Sequence, residues 1–86
     1  SMGWFFSSGK RIKRKELERI IRETPSLGVA EREYVKGIFA KYLSGGVSKT
    51  EATRAIHELK TQMADVISTY EADELHARLL RVFDGE

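Results

Sequence analysis

The sequence predicts a small all-α domain, and three observations support that fold class. Along most of the chain, apolar residues recur with the three- and four-residue spacing of one helix face. No segment alternates apolar and polar residues in the way that a half-buried strand does. Two Ser-x-x-Glu sequences have the capping-box form that begins helices. Together the patterns predict four helices, at about residues 13–23, 30–43, 49–67 and 69–83.

The first predicted helix runs from about Lys13 to Glu23 and presents a narrow apolar stripe. The stripe consists of Leu17, Ile20 and Ile21. Pro25 ends this helix, because a proline disfavours helical geometry at the residue before it. The segment between the first two helices is therefore predicted to be a loop.

The second predicted helix, residues 30–43, has different residue types on its two sides. One face is apolar and carries Val35, Ile38, Phe39 and Tyr42. The other side carries Gly37 and Ala40, small residues three positions apart that would let another backbone come close. These two residues, the small-residue seam, are a candidate protein interface.

The third and fourth helices are predicted to be separate, although no proline divides them. Ser48 with Glu51, and Ser68 with Glu71, have the capping-box form. The two apolar stripes are Ala52, Ala55, Ile56, Leu59, Met63 and Val66, then Ala72, Leu75, Leu79, Val82 and Phe83. At about 100° per residue, the two stripes point in directions that one straight rod cannot bury together. We therefore expect a break near Ser68.

Length and composition argue against several classes of function. The chain has 86 residues, enough for one modest core, and no cysteine for disulfides or thiolate metal sites. A catalytic cleft is hard to fit in so short a chain, so we expect no enzyme activity, cofactor, metal or small-molecule substrate. No apolar run approaches a membrane span, and the apolar "GWFF" precedes the charges, the reverse of a secretory leader. A cytoplasmic location is expected.

The charge is distributed unevenly along the chain. Residues 10–22 hold seven bases and two acids, a net charge of +5, whereas the other 73 residues hold eight bases and eleven acids, a net charge of −3. We expect a flexible aromatic and basic arm over residues 1–12 and a single helical domain over residues 13–86. A basic segment on a mildly acidic body favours an anionic partner such as nucleic acid. The alternative is a solvated first helix that only improves solubility. The candidate contacts are Lys10, Arg11, Lys13, Arg14 and Lys15.

The third helix has an outward arc without acids, which suits contact with phosphates and base edges. Its candidate contact residues are Lys49, Thr50, Thr53, Arg54 and His57. Residues 39–56, "FAKYLSGGVSKTEATRAI", resemble the helix-turn-helix of bacterial repressors. That resemblance implies that the third helix enters the DNA major groove, with Ala40 and Gly46 shaping the elbow. The spacing from Ala40 to Gly46 is two residues longer than in that family.

The same corner also resembles an EF-hand, in which Gly45 and Val47 would take the glycine and central apolar positions. The first, third and fifth ligand positions would then be Ala40, Tyr42 and Ser44, which offer almost no oxygen to calcium. We expect no calcium binding. The remaining alternative is a corner between two packed helices, in which the glycines adopt left-handed geometry and Ser48 caps the next helix.

The aromatic residues near the amino terminus are a second candidate interface. Trp4, Phe5 and Phe6 are consecutive, and three large aromatics in a row seldom stay solvated. We expect them to cover the helices or a partner subunit, and contact with an anionic membrane surface is the less favoured alternative. The two histidines, His57 and His76, lie on different helices, so no metal site is expected from them.

Two functional hypotheses follow from these patterns. The first is a small non-enzymatic binding protein that contacts nucleic acid through the basic arm and the corner that resembles a helix-turn-helix. The alternative is a helical protein interaction module or homodimer, with the amino-terminal aromatics or the small-residue seam at its interface.

Overall fold

The computed structural model of the protein describes residues 10–85, and it confirms the all-α class. In these residues the chain forms four helices: α1 (Arg14–Arg22), α2 (Val29–Ala40), α3 (Lys49–Gln62) and α4 (Thr69–Phe83). Two short strands, β1 (Arg11–Ile12) and β2 (Val47–Ser48), precede α1 and α3. No described helix is long and apolar enough to cross a membrane.

Two short strands accompany the helices, although no alternating segment of the sequence predicts them. β1 pairs with β2 in an antiparallel ladder, with Arg11 opposite Ser48 and Ile12 opposite Val47. Ile12 and Val47 are fully buried in the core, so burial of apolar surface holds the two strands together. The folded domain therefore includes Arg11 and Ile12, which we had assigned to the flexible arm.

Two helices end earlier than predicted, and turns replace their last residues. α2 ends at Ala40 instead of residue 43, and hydrogen bonds of the turn type join Tyr42 N to Phe39 O and Leu43 N to Ala40 O. α3 ends at Gln62 instead of residue 67. The predicted break near Ser68 is confirmed, since the chain leaves helical geometry after Gln62 and α4 begins at Thr69.

The four helices close a ring around a single core. α1 packs against α2, α2 against α3, α3 against α4, and α4 returns to α1. Contacts from Lys49 to Asp84 and from Lys60 to Asp73 show that α3 and α4 run antiparallel. The core is built mainly from the predicted stripes, and its largest fully buried side chains include Phe39, Leu17, Ile21, Ile56, Leu59, Leu75 and Leu79.

Candidate nucleic-acid interface

The glycine corner between α2 and α3 has the geometry of a capped helix corner. Gly45 and Gly46 have φ angles of 80° and 93°, in the left-handed region that favours glycine. Ser48 Oγ accepts a hydrogen bond from Glu51 N at 3.1 Å, and Glu51 Oε1 accepts one from Ser48 N at 3.0 Å. This reciprocal cap was predicted from the tetrapeptide alone, and it fixes the direction in which α3 leaves the corner.

The connection between α2 and α3 is long for a helix-turn-helix. It runs from residue 41 to residue 48 and contains β2. The turn of a DNA-binding helix-turn-helix has about three to four residues. We therefore do not transfer the docking angle of that family to α3, and base recognition by α3 stays a prediction.

The five predicted residues of α3 lie together on one solvent-facing surface, which we call the α3 face. Lys49, Thr50, Thr53, Arg54 and His57 line an open concavity of about 580 Å³. No acidic residue from the described part of the chain lines this concavity. The lining offers cationic and hydroxyl side chains to an anionic polymer, and the carboxylate of Asp84 beside Lys49 is engaged in an ion pair.

The residues of the α3 face differ in how they are held. Lys49 Nζ lies 2.9 Å from Asp84 Oδ1 at the end of α4, so part of its charge is already balanced. Thr53 Oγ1 lies 3.3 Å from His76 Nε2 on α4. Within residues 10–85, the side chain of Arg54 makes no ion pair, so it is the cation of this face that is most available to a ligand.

The arm residues have separate roles in the structure. The guanidinium of Arg11 donates to Gly46 O at 3.2 Å and lies 3.5 Å from Glu51 Oε1, so this side chain braces the glycine corner. Lys10 is exposed, and the register of the ladder places it next to the first turn of α3. The stem of Lys13 lies against Gly46. Lys10 and Lys13 therefore remain as the exposed arm cations beside the ladder, with Lys10 near the first turn of α3 and Lys13 at the glycine corner.

Arg14 and Lys15 occupy a different part of the molecule. Both are exposed in the first turn of α1, a helix that packs against α2 and α4. The structure places them on α1, apart from the residues that line the α3 face. Their charge adds to the field around the amino-terminal end of the domain and is not part of that surface.

A clamp at the corner was not predicted from the sequence. Tyr42 OH donates to Glu58 Oε2 at 2.6 Å, and Lys41 Nζ lies 2.5 Å from Glu58 Oε1 as an ion pair without hydrogen-bond alignment. The cation of Lys41, and then the Tyr42 hydroxyl, lower the pKa of Glu58. The same carboxylate raises the pKa of Lys41 and of Tyr42. This clamp ties the end of α2 to the middle of α3.

The structure describes only some of the candidate interface residues. Trp4, Phe5 and Phe6 lie outside the described residues. Gly37 and Ala40 are exposed on the outer side of α2, and a Cβ atom added at Gly37 would meet no atom within 4 Å. The small-residue seam therefore does not serve packing within the described part of this chain.

The histidines and acids give no cluster of metal-binding type. Within residues 10–85, no group of three or more His, Cys, Asp or Glu side chains is placed to hold a metal ion. His76 is half-buried between α3 and α4, and its pKa is lowered by desolvation and then by the charge of Lys60. His57 is exposed on the α3 face.

Comparisons of the chain with protein families, curated proteins and solved structures find no match.

Proposed function

We propose that this protein binds nucleic acid through the α3 face, together with Lys10 and Lys13. The observation that supports the proposal is the antiparallel ladder between β1 and β2. This ladder brings Lys10 to the first turn of α3, beside a surface that no acidic residue among residues 10–85 lines. We expect Lys10, which precedes β1, and Lys49, in the first turn of α3, to contact the same ligand.

The chemistry of the surface suits the sugar–phosphate backbone. Lys10, Lys13 and Arg54 provide exposed cations, and the hydroxyls of Thr50 and Thr53 provide short neutral donors. Such side chains make most protein contacts to phosphates, and those contacts fix position without reading sequence. Binding of this type is driven by release of counterions, so it weakens as salt rises.

The test is fluorescence anisotropy of a labelled duplex at two salt concentrations. For each phosphate contact that is lost, the log–log slope of affinity against salt becomes shallower by about 0.9. The double variant Lys10→Ala/Lys13→Ala and the single variant Arg54→Ala are each expected to weaken binding and flatten the slope. Lys36→Ala on α2 removes one cation from a different helix and is expected to leave both quantities unchanged.

The same assay separates backbone binding from base recognition. If Arg54 reads a base, its loss costs about 1–3 kcal/mol on a preferred duplex and reduces the preference among sequences. A uniform loss across sequences would leave a backbone contact only. Absence of binding by the wild-type protein at low salt would contradict the proposed function.

The second candidate function is a homodimer formed through the outer side of α2. The observation in its favour is that this side is exposed and carries small residues next to an exposed tyrosine. Tyr34 is 47% exposed, and Ala30, Gly37 and Ala40 are exposed beside it. Small residues let two helices approach closely, so a second copy of the same surface is the partner that fits it.

Sedimentation velocity over a range of protein concentrations tests this dimer. Ala40→Arg places a large charged side chain on the proposed interface and is expected to give a monomer. Ala77→Arg is the matched control, since Ala77 is an exposed alanine on α4. A wild-type protein that stays monomeric, or a dimer that Ala40→Arg leaves intact, would contradict this candidate.

A further inference from the structure

A cleft between α1 and α4 carries an excess of positive charge that the proposed nucleic-acid interface does not use. Its volume is about 180 Å³. It is lined by Arg19 and Ile20 from α1, by Glu23 directly after α1, and by Arg78, Arg81 and Val82 from α4. We call this site the arginine cleft.

The three arginines of the cleft differ in how their charge is balanced. Arg19 lies 3.6 Å from the carboxylate of Glu23 and 3.9 Å from that of Glu16, so it is neutralised within its own helix. Within residues 10–85, Arg78 and Arg81 make no ion pair. Two guanidinium groups thus face one small space without a counterion from the described residues.

Arg78 is also incompletely hydrogen-bonded. Its Nε is buried and has no acceptor in the described part of the chain. Glu74, one turn earlier on α4, is engaged instead by the hydroxyl of Ser26 in the loop after α1. A buried donor without a partner costs free energy, and that cost is recovered when the side chain turns to donate to an anion. The methyl groups of Ile20 and Val82 exclude water from part of the cleft and so strengthen the attraction.

A comparable cleft between α1 and α2 shows what distinguishes the arginine cleft. It has a volume of about 220 Å³ and includes Arg32, whose Nε is also buried without an acceptor. Both clefts are lined by three cations, which are Arg22, Arg32 and Lys36 in the α1–α2 cleft. However, two carboxylates, Glu18 and Glu33, line that cleft, whereas among the described residues one lines the arginine cleft. A doubly charged anion is repelled more strongly by two carboxylates than by one, so Arg32 provides a matched control.

The arginine cleft is separate from the α3 face. Asp73, His76 and Asp84 lie on the flank of α4 that contacts α3. Arg78 and Val82 lie on the opposite flank, against α1. A ligand in the cleft is therefore bound independently of a duplex on the α3 face.

We propose that the arginine cleft binds a phosphate group. The guanidinium plane presents paired donors that match the oxygens of a phosphate, and a dianion balances the two unpaired charges. The bound phosphate contacts Arg78 and Arg81, while Arg19 stays paired with Glu23. Phosphate thereby neutralises the two arginines of α4 in the folded protein, and it stabilises the native state because it binds that state and not the unfolded chain.

Two-dimensional NMR during titration with inorganic phosphate tests the proposal, with sodium chloride at matched ionic strength as the reference. Saturable shifts in the millimolar range are expected at residues 19–23 and 78–82 and at the Nε–Hε signal of Arg78. Arg78→Gln is expected to weaken phosphate binding about tenfold, which corresponds to the loss of one charge-assisted hydrogen-bond pair. Arg32→Gln is expected to retain the wild-type affinity.

Several outcomes would overturn the proposal. These are the absence of saturable shifts, equal losses in Arg78→Gln and Arg32→Gln, and shifts confined to the α3 face. Arg81→Gln provides a second variant, since Arg81 is exposed and its replacement does not disturb the core. Duplex binding by Arg81→Gln is expected to match the wild type, so failure of the phosphate site and failure of the nucleic-acid interface can be told apart.

Discussion

Three glycines that look alike in the sequence have different environments, and alanine substitution distinguishes them. Gly37 lies inside α2 with open space around it, so Gly37→Ala is expected to stabilise the fold by about 0.8–1 kcal/mol. Gly45 has a φ of 80° and free space, so Gly45→Ala is expected to cost about 1–2 kcal/mol for left-handed geometry alone. Gly46→Ala adds a contact of 3.0 Å with Arg11 Cβ and one of 3.3 Å with Ile12 O, and it is expected to cost more than Gly45→Ala.

Urea unfolding of the three glycine variants measures these differences. The expected order of stability is Gly37→Ala, wild type, Gly45→Ala and then Gly46→Ala. Gly45→Ala serves as the control for backbone strain without a steric clash. Equal losses at Gly45 and Gly46 would show that the ladder shifts to accommodate the methyl group, and that β1 does not hold the corner rigidly.

Among single residues, the predictable roles were those whose hydrogen-bond partners are close in the sequence. Ser48 and Ser68 were expected to cap α3 and α4, and both accept the bond from the backbone three residues later. The clamp of Tyr42 and Lys41 on Glu58 was missed, because the tyrosine is 16 residues from its acceptor. Contacts between residues so far apart in the sequence depend on how the helices pack, and local sequence patterns do not predict that packing.

The helices were predictable as elements, whereas the strands and some helix ends were not. The apolar residues whose helical spacing predicted α1 and α4 also form the core, because the apolar face of a helix is the face that is buried. β1 and β2 have two residues each, too few for an alternating pattern to appear. α2 was extended to residue 43 because Tyr42 continues its stripe, but the chain turns after Ala40 toward the glycines.

The outward face of α3 was also predicted as an element, since it follows from the helix wheel alone. What could not be foreseen is which part of the arm lies beside it. The pairing of Ile12 with Val47 determines that position, and it depends on contacts that are distant in sequence. Lys10 thus lies near the first turn of α3, whereas Arg11 and Lys13 lie at the glycine corner and Arg14 lies on α1.

The stability of the whole molecule depends on pH through titratable side chains that lie where helices pack together. His76 lies between α3 and α4, near Lys60 and Asp73, and desolvation lowers its pKa below 6.5. The folded state therefore binds fewer protons than the unfolded state when the pH is near and below 6.5. The contribution of the neutral His76 imidazole to the free energy of unfolding is therefore complete above pH 6.5. It is lost as the pH falls below that value.

The pKa values of two carboxylates are also lowered, and they act in a more acidic range. Glu58 is held by Lys41 and Tyr42, and Glu71 by the backbone of Ser68, so each pKa lies below 4.5. Their contribution to stability is present above 4.5 and is lost as the pH falls below it. Acid destabilisation is thus expected in two ranges, with the histidine acting first.

Replacement of His76 by glutamine tests the first range. Between about pH 7.5 and about pH 5.5, the free energy of unfolding of the wild-type protein is expected to decrease, and that of His76→Gln is expected to decrease less, because the glutamine takes up no proton. For each protein, the free energy of unfolding from urea titration at about pH 5.5 is subtracted from that at about pH 7.5. A packing effect of the substitution that is the same at both pH values then cancels. His57→Gln, which removes an exposed imidazole from the α3 face, is expected to keep the steeper wild-type loss. Parallel pH profiles for wild type and His76→Gln would contradict the assignment of this loss to His76. Protonation of His76 would then not affect the packing of α3 against α4.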